Sequence, residues 1–333
     1  MKRIYAFIAA LAVIIVGAVM IGQHKSTSAA KPKTVTVGIL QTMSHPALDQ
    51  INKGVVKGLA ENGYKVGKNL KIKQLNAEAD QSNLKSMSEK LIAGNANLTV
   101  GIATPAAMSL AAAANGKTPV VIAGVTDPAS SGVINSEKKP GANVTGTSGE
   151  SPLAKQLAVV QAIKPNAKQV GIIYSPSDHG GTYNAKKFAK LAAAKGLKAK
   201  LYTISNSNDV EQTAQQMVHE CDVVYAPQDN LVASSMKTLA SVANDAKVPV
   251  VPAADTMVKD GGTVTYAISQ FDLGKLTGKM AANVLKGKKT STYAIEKVTK
   301  GAYVINQKEV KALGLKLPAS ITKGAKANGE IFK

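Results

Sequence analysis

A recurring pattern of short apolar runs, each stopped by small polar residues or proline, constrains this chain more than any other feature. It appears in TVGIATPAA (99–107), VVIAGVTDP (120–128), VGIIYSPSD (170–178), VVYAPQDN (223–230) and VPVVPAADT (248–256). A run that is apolar at successive positions has the length of a strand and the composition of one buried on both faces. That is how a parallel sheet covered by helices reads. In such a sheet the carboxyl ends of the strands border the ligand crevice, so the polar residues gathered there are candidate contacts. In VVIAGVTDP the pattern also predicts a helix capped by Asp127 and opened by Pro128.

Taken in order, the chain alternates strand and helix. Strands are expected at 34–40, 70–75 and 98–103, with VVIAG as a fourth. Ser44-His45-Pro46 opens a helix whose Leu48, Ile51, Val55 and Leu59 recur at helical spacing and which Gly63 ends. A second helix runs from Asp80 to Gly94, and Thr104 is expected to cap a third with Pro105 in its first turn. A later half repeats this: VGIIY (170–174) echoes VGIL (37–40), LAAAKGLKAK echoes LAENGYKVGK, and KVPVVPAAD echoes KTPVVIAGVTD. The fold class expected is α/β, with two similar Rossmann-like lobes on parallel sheets. The Gly, Ser and Thr-rich NVTGTSGES (143–151) reads as a hinge crossing, after which Ser151 caps a helix opened by Pro152. A strand at 263–268 and the segment 269–272 read as a further crossing before a helix at 273–285. The expected division is 1–33 signal or anchor helix and linker, 34–147 plus 271–300 one lobe, 148–270 plus 301–333 the other. Hinged lobes of this kind close around a ligand.

Composition narrows the function. With 333 residues and 45% hydrophobic content the chain has material for two ordinary cores. Cys221 is its one cysteine, which excludes an intrachain disulfide and cysteine-cluster metal sites and reads as a buried thiol at a strand edge. His24, His45, His179 and His219 show no metal-ligand spacing, so neither a metal nor a cofactor is expected. The formal charge is +20. Arg3 is nevertheless the single arginine and aromatics make up 4%, which argues against a nucleic-acid partner. Lysine spread along helices fits a solvated face near an anionic membrane or wall polymer. Without arginine, any anionic ligand must be met by helix N-termini, hydroxyls or lysine. No GxGxxG, P-loop or GxSxG is present, and no His stands beside a plausible nucleophile, so an enzyme is not expected.

Lys2 and Arg3 precede the uncharged run 4–22, long enough to cross a bilayer as a helix. The positive flank puts everything after it outside. A retained anchor on the extracellular face is expected. Ser28 and Ala30 would suit cleavage after Ala30, which would release a secreted protein.

Blocks in order and spacing carry a resemblance: HPALD, NAEADQSN, IATPAA, VTDPASSG, NVTGTS, SPLAKQL, KPNAKQVGIIYSPSD, QDNLVASSM, LGKLTGKMAANVLKGK and YVINQKEVKALGLKLP. Across nearly the whole exported chain it resembles the bacterial ABC-transporter substrate-binding proteins of the group that binds tryptophan and other aromatic amino acids. The resemblance implies a type I periplasmic-binding-protein fold with three crossings, a permease and an ATPase as partners, a small-molecule ligand and a monomer. Carried over by block, the cleft-facing positions are Ser44, His45, Thr104, Thr126, Asp127, Ser151, Ser177, Asp178, Asp229 and Asn230, with Ser269 after the last cleft strand. Thr104, Asp127 and Ser151 also read as simple helix caps, whereas Asp178 and Asp229 read as contacts for an ammonium group. Tyr174, Tyr225 and Phe271 read either as stacking or as core residues. The chain departs from the pattern at Gly180-Gly181, Gly149 and Ser269, where relatives commonly carry Asn or an acid. That is expected to leave room for a bulkier or less cationic ligand. A membrane-tethered sensing or adhesion module on the same fold is the alternative reading.

Overall fold

In this computed structural model residues 34–333 are described, so the apolar run 4–22 and its anchoring role lie outside the described residues. Among the described residues no helix is long and apolar enough to cross a membrane.

The first lobe begins β1 (Val35–Gln41), α1 (Pro46–Glu61), β2 (Leu70–Asn76), α2 (Gln81–Ala93), β3 (Leu98–Ile102), α3 (Thr104–Ala114), β4 (Val120–Val125) and β5 (Val144–Ser148). The chain then enters the second lobe through α4 (Leu153–Ile163), β6 (Gln169–Tyr174), α5 (His179–Ala194), β7 (Lys198–Thr203), α6 (Asp209–Glu220) and β8 (Val223–Ala226). The second lobe continues with α7 (Asn230–Ser234), α8 (Met236–Asp245), β9 (Val250–Pro252), α9 (Asp255–Lys259) and β10 (Val264–Ala267). A return to the first lobe supplies α10 (Gln270–Leu285) and β11 (Glu296–Lys297). The chain ends in the second lobe with β12 (Ala302–Asn306), α11 (Gln307–Ala312), α12 (Ala319–Asn328) and β13 (Glu330–Phe332).

A six-stranded parallel sheet of order β11-β5-β4-β3-β1-β2 carries the first lobe. Every residue of β3 is buried, as a strand covered on both faces requires. The second lobe has a parallel four-stranded sheet, β7-β6-β8-β9, and a three-stranded one, β10-β12-β13, in which β10 and β12 run antiparallel. Val264 and Ile305 of the smaller sheet share one buried cluster with Val170, Phe188 and Tyr225. The two sheets therefore serve a single core.

Helix starts position the cleft. Pro46 occupies the first turn of α1, where its missing N–H is not needed, and leaves His45 extended just ahead of it. The buried stripe of α1 then meets α10 along two small-residue ladders. A Cβ added at Gly58 would run into the Lys275 carbonyl and one at Gly278 into the Val55 carbonyl, while the Gly54 Cβ position lies 2.8 Å from the Gly274 Cα. The helices touch backbone to backbone, which clamps the returning segment onto the first lobe.

Several local readings are corrected. Residues 144–148 are not a hinge but β5, paired between β4 and β11, because Thr145 and Thr147 find buried partners in the Tyr293 carbonyl and the Thr277 hydroxyl. No helix follows Asp127-Pro128. Asp127 accepts from the Ser130 N–H at 3.0 Å and closes a turn instead. Thr104 is the first residue of α3 and not its cap, with Ala103 ahead of it at φ 69°. The capping oxygen comes from Thr42 after β1, which accepts from the Ala106 N–H at 3.2 Å. Pro152, not Ser151, stands at the start of α4, and α10 starts at Gln270 with Ser269 as its cap.

Candidate functional site

Loops following β1, β3 and β4 in one lobe face those following β6, β8 and β9 in the other. Between them lies a cavity of about 30 Å³. His45, Thr104 and Thr126 line it from the first lobe and Asp178, Asp229 and Asn230 from the second. Ala47, Leu48, Ile51, Ala254 and Met257 make its apolar wall. Asp178 and Asn230 also border a neighbouring chamber of about 240 Å³, lined by Met43, Leu84, Pro105 and Leu231 with Gln81, Ser175, Ser177 and Ser205.

The two carboxylates are built in through backbone donors. Asp178 Oδ1 accepts from the Gly181 N–H at 2.8 Å and caps α5, while its Oδ2 accepts from the Asn230 N–H at 3.0 Å and from Asn230 Nδ2 at 2.6 Å. Asp229 Oδ2 accepts from the Ser175 N–H at 2.8 Å, and its Oδ1 caps α7 through the Leu231 and Val232 N–H groups, both at 3.0 Å. Asp229 is 1% exposed. Burial first, then the neighbouring Asp178 charge, push its carboxyl above the usual range, and the three N–H donors pull against them. Both acids therefore serve the fold as helix caps as well as facing the cavity.

His45 joins the lobes. Its Nε2 lies 3.2 Å from Asn230 Oδ1, its Nδ1 is buried without a partner, and burial lowers the ring's pKa against the opposing influence of Asn230, Asp49, Asp178 and Asp260. The glycines expected to leave room do not. A Cβ at Gly180 would come within 2.7 Å of Thr126 Oγ1, and one at Gly181 would run into the Asp229 carboxylate. The missing side chains allow the lobes to approach and the Asp229 carboxylate to sit against α5.

The remaining candidates lie elsewhere. Ser44 is exposed and donates to the Asp49 carboxylate, and Asp127 is occupied by its turn. Ser151 is buried and donates to Gln228 Oε1 at 3.0 Å. Ser177 is exposed at the larger chamber. Ser269 caps α10 and, with Phe271, borders a separate chamber of about 240 Å³ beside Asp255 and Glu330. Tyr225 is core: it stacks on Phe188 with ring centroids 3.6 Å apart and donates to Gln156 Oε1 at 2.7 Å. Tyr174 belongs to the same cluster. Gln228 is a further cavity residue, marked in the sequence only by standing beside Asp229. It lines the cavity, accepts from Ser151 and donates to Gln270 Oε1 at 3.3 Å, linking the cleft to two crossings.

Two α/β lobes, three chain crossings and a polar cavity at facing strand ends describe a solute trap, and the comparisons agree. A family model described as ABC transporter substrate binding protein matches residues 36–328. The chain belongs to that family. As an ABC substrate-binding protein it works outside the cytoplasmic membrane, presents a small solute to a permease and performs no chemistry on it. It is 33% identical over 307 residues to a tyrosine-binding protein of Clostridioides difficile (strain R20291), an overlap of 92% of this chain and 88% of that one. A solved ABC domain in complex with L-Trp from Streptococcus pneumonia is 38% identical, with a TM-score of 0.86 over 90% of this chain and 100% of that chain. The ligand-free, open structure of a substrate-binding protein with adhesive properties from Clostridium difficile is 32% identical, with a TM-score of 0.70 over 90% of this chain and 99% of that chain. The type I periplasmic-binding-protein fold follows from these matches. The substrate-binding protein described here superposes better on the L-Trp complex than on the open form, in keeping with the His45–Asn230 contact across its cleft.

Proposed function

We propose that this substrate-binding protein captures an amino acid, with tyrosine and tryptophan the first to test, in the cavity between its lobes. The observation that carries the reading is the pair of buried carboxylates, Asp178 and Asp229, on one side of a cavity whose other side holds Thr104, Thr126 and the start of α1. An ammonium group finds acceptor capacity at the acids, since each carboxylate has an oxygen with a single bonded donor. Arginine is absent from the exported part, so a ligand carboxylate falls to hydroxyls and to helix-start N–H groups. The apolar wall and the adjoining chamber suit a side chain of some size. The tyrosine-binding and L-Trp-bound relatives support the same class.

A thermal-shift screen of the protein amino acids tests this. A ligand held at about a hundred times its Kd adds about 2.7 kcal/mol of stability, so binders raise Tm visibly. Calorimetry on the hits should show Asp178→Ala and Asp229→Ala weakening binding by about 10- to 100-fold. Each variant also removes a helix cap, so its Tm without ligand is the control. No hit among the amino acids, with binding of a neutral or purely anionic solute insensitive to both substitutions, sinks the proposal.

The same reading divides the lobes at 34–147 plus 271–300 and 148–270 plus 301–333, except that Ser148 of β5 and Gln270 of α10 go with the first lobe, and treats the protein as a monomer tethered by residues 4–22. N-terminal sequencing of membrane-fraction protein checks the tether, and a mature terminus at Lys31 contradicts it. A sensing or adhesion module is the second reading, favoured by the adhesive properties of the Clostridium difficile relative. A permease and ATPase encoded alongside support import, whereas a partner with a cytoplasmic kinase domain supports sensing.

A further inference from the structure

Asn230 settles the proton on His45. Its backbone N–H and side-chain Nδ2 both face Asp178 Oδ2, so the amide cannot turn over without setting its oxygen against a carboxylate. The Asn230 oxygen must therefore point the other way, toward His45 Nε2, and an oxygen there requires a proton on that nitrogen. His45 is 6% exposed, and burial keeps the imidazole neutral, so Nδ1 carries a bare lone pair. That nitrogen is buried and has no hydrogen-bond partner, although His45 lines the cavity. A buried acceptor left unmet is costly, and in a binding site it is a place for a ligand donor.

We propose that the Asp178–Asn230 pair fixes His45 as the Nε2–H tautomer and that its Nδ1 accepts a hydrogen bond from an N–H or O–H of the bound solute. His45 then selects at the cleft for a ligand that offers a donor on the side of α1, opposite the acids. It couples that selection to closure, because the bond that sets the tautomer forms between lobes. The inference rests on the amino-acid reading: with the ammonium group taken by the acids, tyrosine and tryptophan supply such a donor in the side chain.

The test uses the whole exported protein labelled with nitrogen-15. Imidazole spectra are recorded with and without saturating L-tryptophan or L-tyrosine, whichever binds, alongside calorimetry of two variants. In the complex His45 should show a protonated Nε2 and an unprotonated Nδ1 whose resonance moves in the direction of hydrogen-bond acceptance when ligand is added. His45→Gln keeps a donor toward Asn230 and loses the Nδ1 acceptor, so it should weaken binding by about 5- to 10-fold. His45→Asn places an oxygen near the Nδ1 position and loses the cross-lobe bond. For it, the preference for a ligand over an analogue lacking the donor should survive even where affinity falls. A protonated Nδ1 in the complex, or an Nδ1 resonance unmoved at saturation, overturns the inference while leaving the amino-acid reading standing. No binding of any amino acid by the unaltered protein removes both. The spectra of the unaltered protein decide the matter even if a variant fails to fold.

Discussion

At the scale of single residues, the cleft is governed by polar groups that are buried because the fold also uses them. Asp178 and Asp229 stand in the loops after β6 and β8, cap α5 and α7, and still face the cavity. Legibility in the sequence divides along that line. Asp178, Asp229, Asn230, His45, Thr104 and Thr126 could be marked because apolar runs stop at them. Their partners could not, since the bond from Asn230 to His45 links residues far apart in the chain. The roles of Gly180 and Gly181 are illegible for the same reason: an absent side chain looks like space until the facing Thr126 and Asp229 are known. The buried imidazole gives a prediction with a definite sign. Burial holds the His45 pKa below its ordinary 6.5, so the folded protein binds fewer protons there than the unfolded chain. Its contribution is intact above pH 6.5 and is lost as pH falls toward the lowered folded value. Asp49, Asp178 and Asp260 act against the shift without reversing it. Relative to His45→Gln, the unaltered protein should lose stability in thermal unfolding as pH falls below 6.5. Parallel pH profiles for the two proteins would contradict this.

At the scale of elements, what is local was readable and what is paired at a distance was not. Helix α2 lies between Asp80 and Gly94 as expected, because the Asp80 carboxylate accepts from the Asn83 N–H at 2.7 Å and glycine ends the turn. The capping of α3 by Thr42 left no local trace, nor did the two-residue β11 that completes the first sheet. The junction of α1 with α10 was written in the sequence twice, as Gly54 with Gly58 and as Gly274 with Gly278, but each pair reads as unremarkable without the other. Its consequence is testable. Alanine improves helix propensity over glycine by about 1 kcal/mol, yet at position 278 its methyl meets the Val55 carbonyl and the helices must part. We expect Gly278→Ala to be destabilising by about 1–3 kcal/mol in urea unfolding, because overpacking against rigid backbone outweighs propensity. An unchanged or higher midpoint would show that the two helices do not touch as described.

At the scale of the whole molecule, the His45–Asn230 bond and the close approach of Thr126 to Gly180 shut the two lobes over a cavity of about 30 Å³ that adjoins the chamber of about 240 Å³. Ligand entry therefore requires the lobes to part, breaking the His45–Asn230 bond and drawing Thr126 away from Gly180. The segments left to bend are short: 149–152, 268–269 and 298–301. Beside the first, Glu150 pairs with Lys187 of α5 and Lys297 of β11, each at 3.0 Å. These groups are well exposed to solvent, so the network steadies the junction without locking it. Closure on a ligand is then set by the cleft itself, by differential binding to the closed arrangement. Small-angle X-ray scattering on the exported chain, with and without saturating L-tryptophan or L-tyrosine, addresses this most directly. The radius of gyration should fall when the binding ligand is added, and the scattering of the complex should match the closed structure. An unchanged radius under conditions where calorimetry shows the site filled would contradict capture by closure of the two lobes.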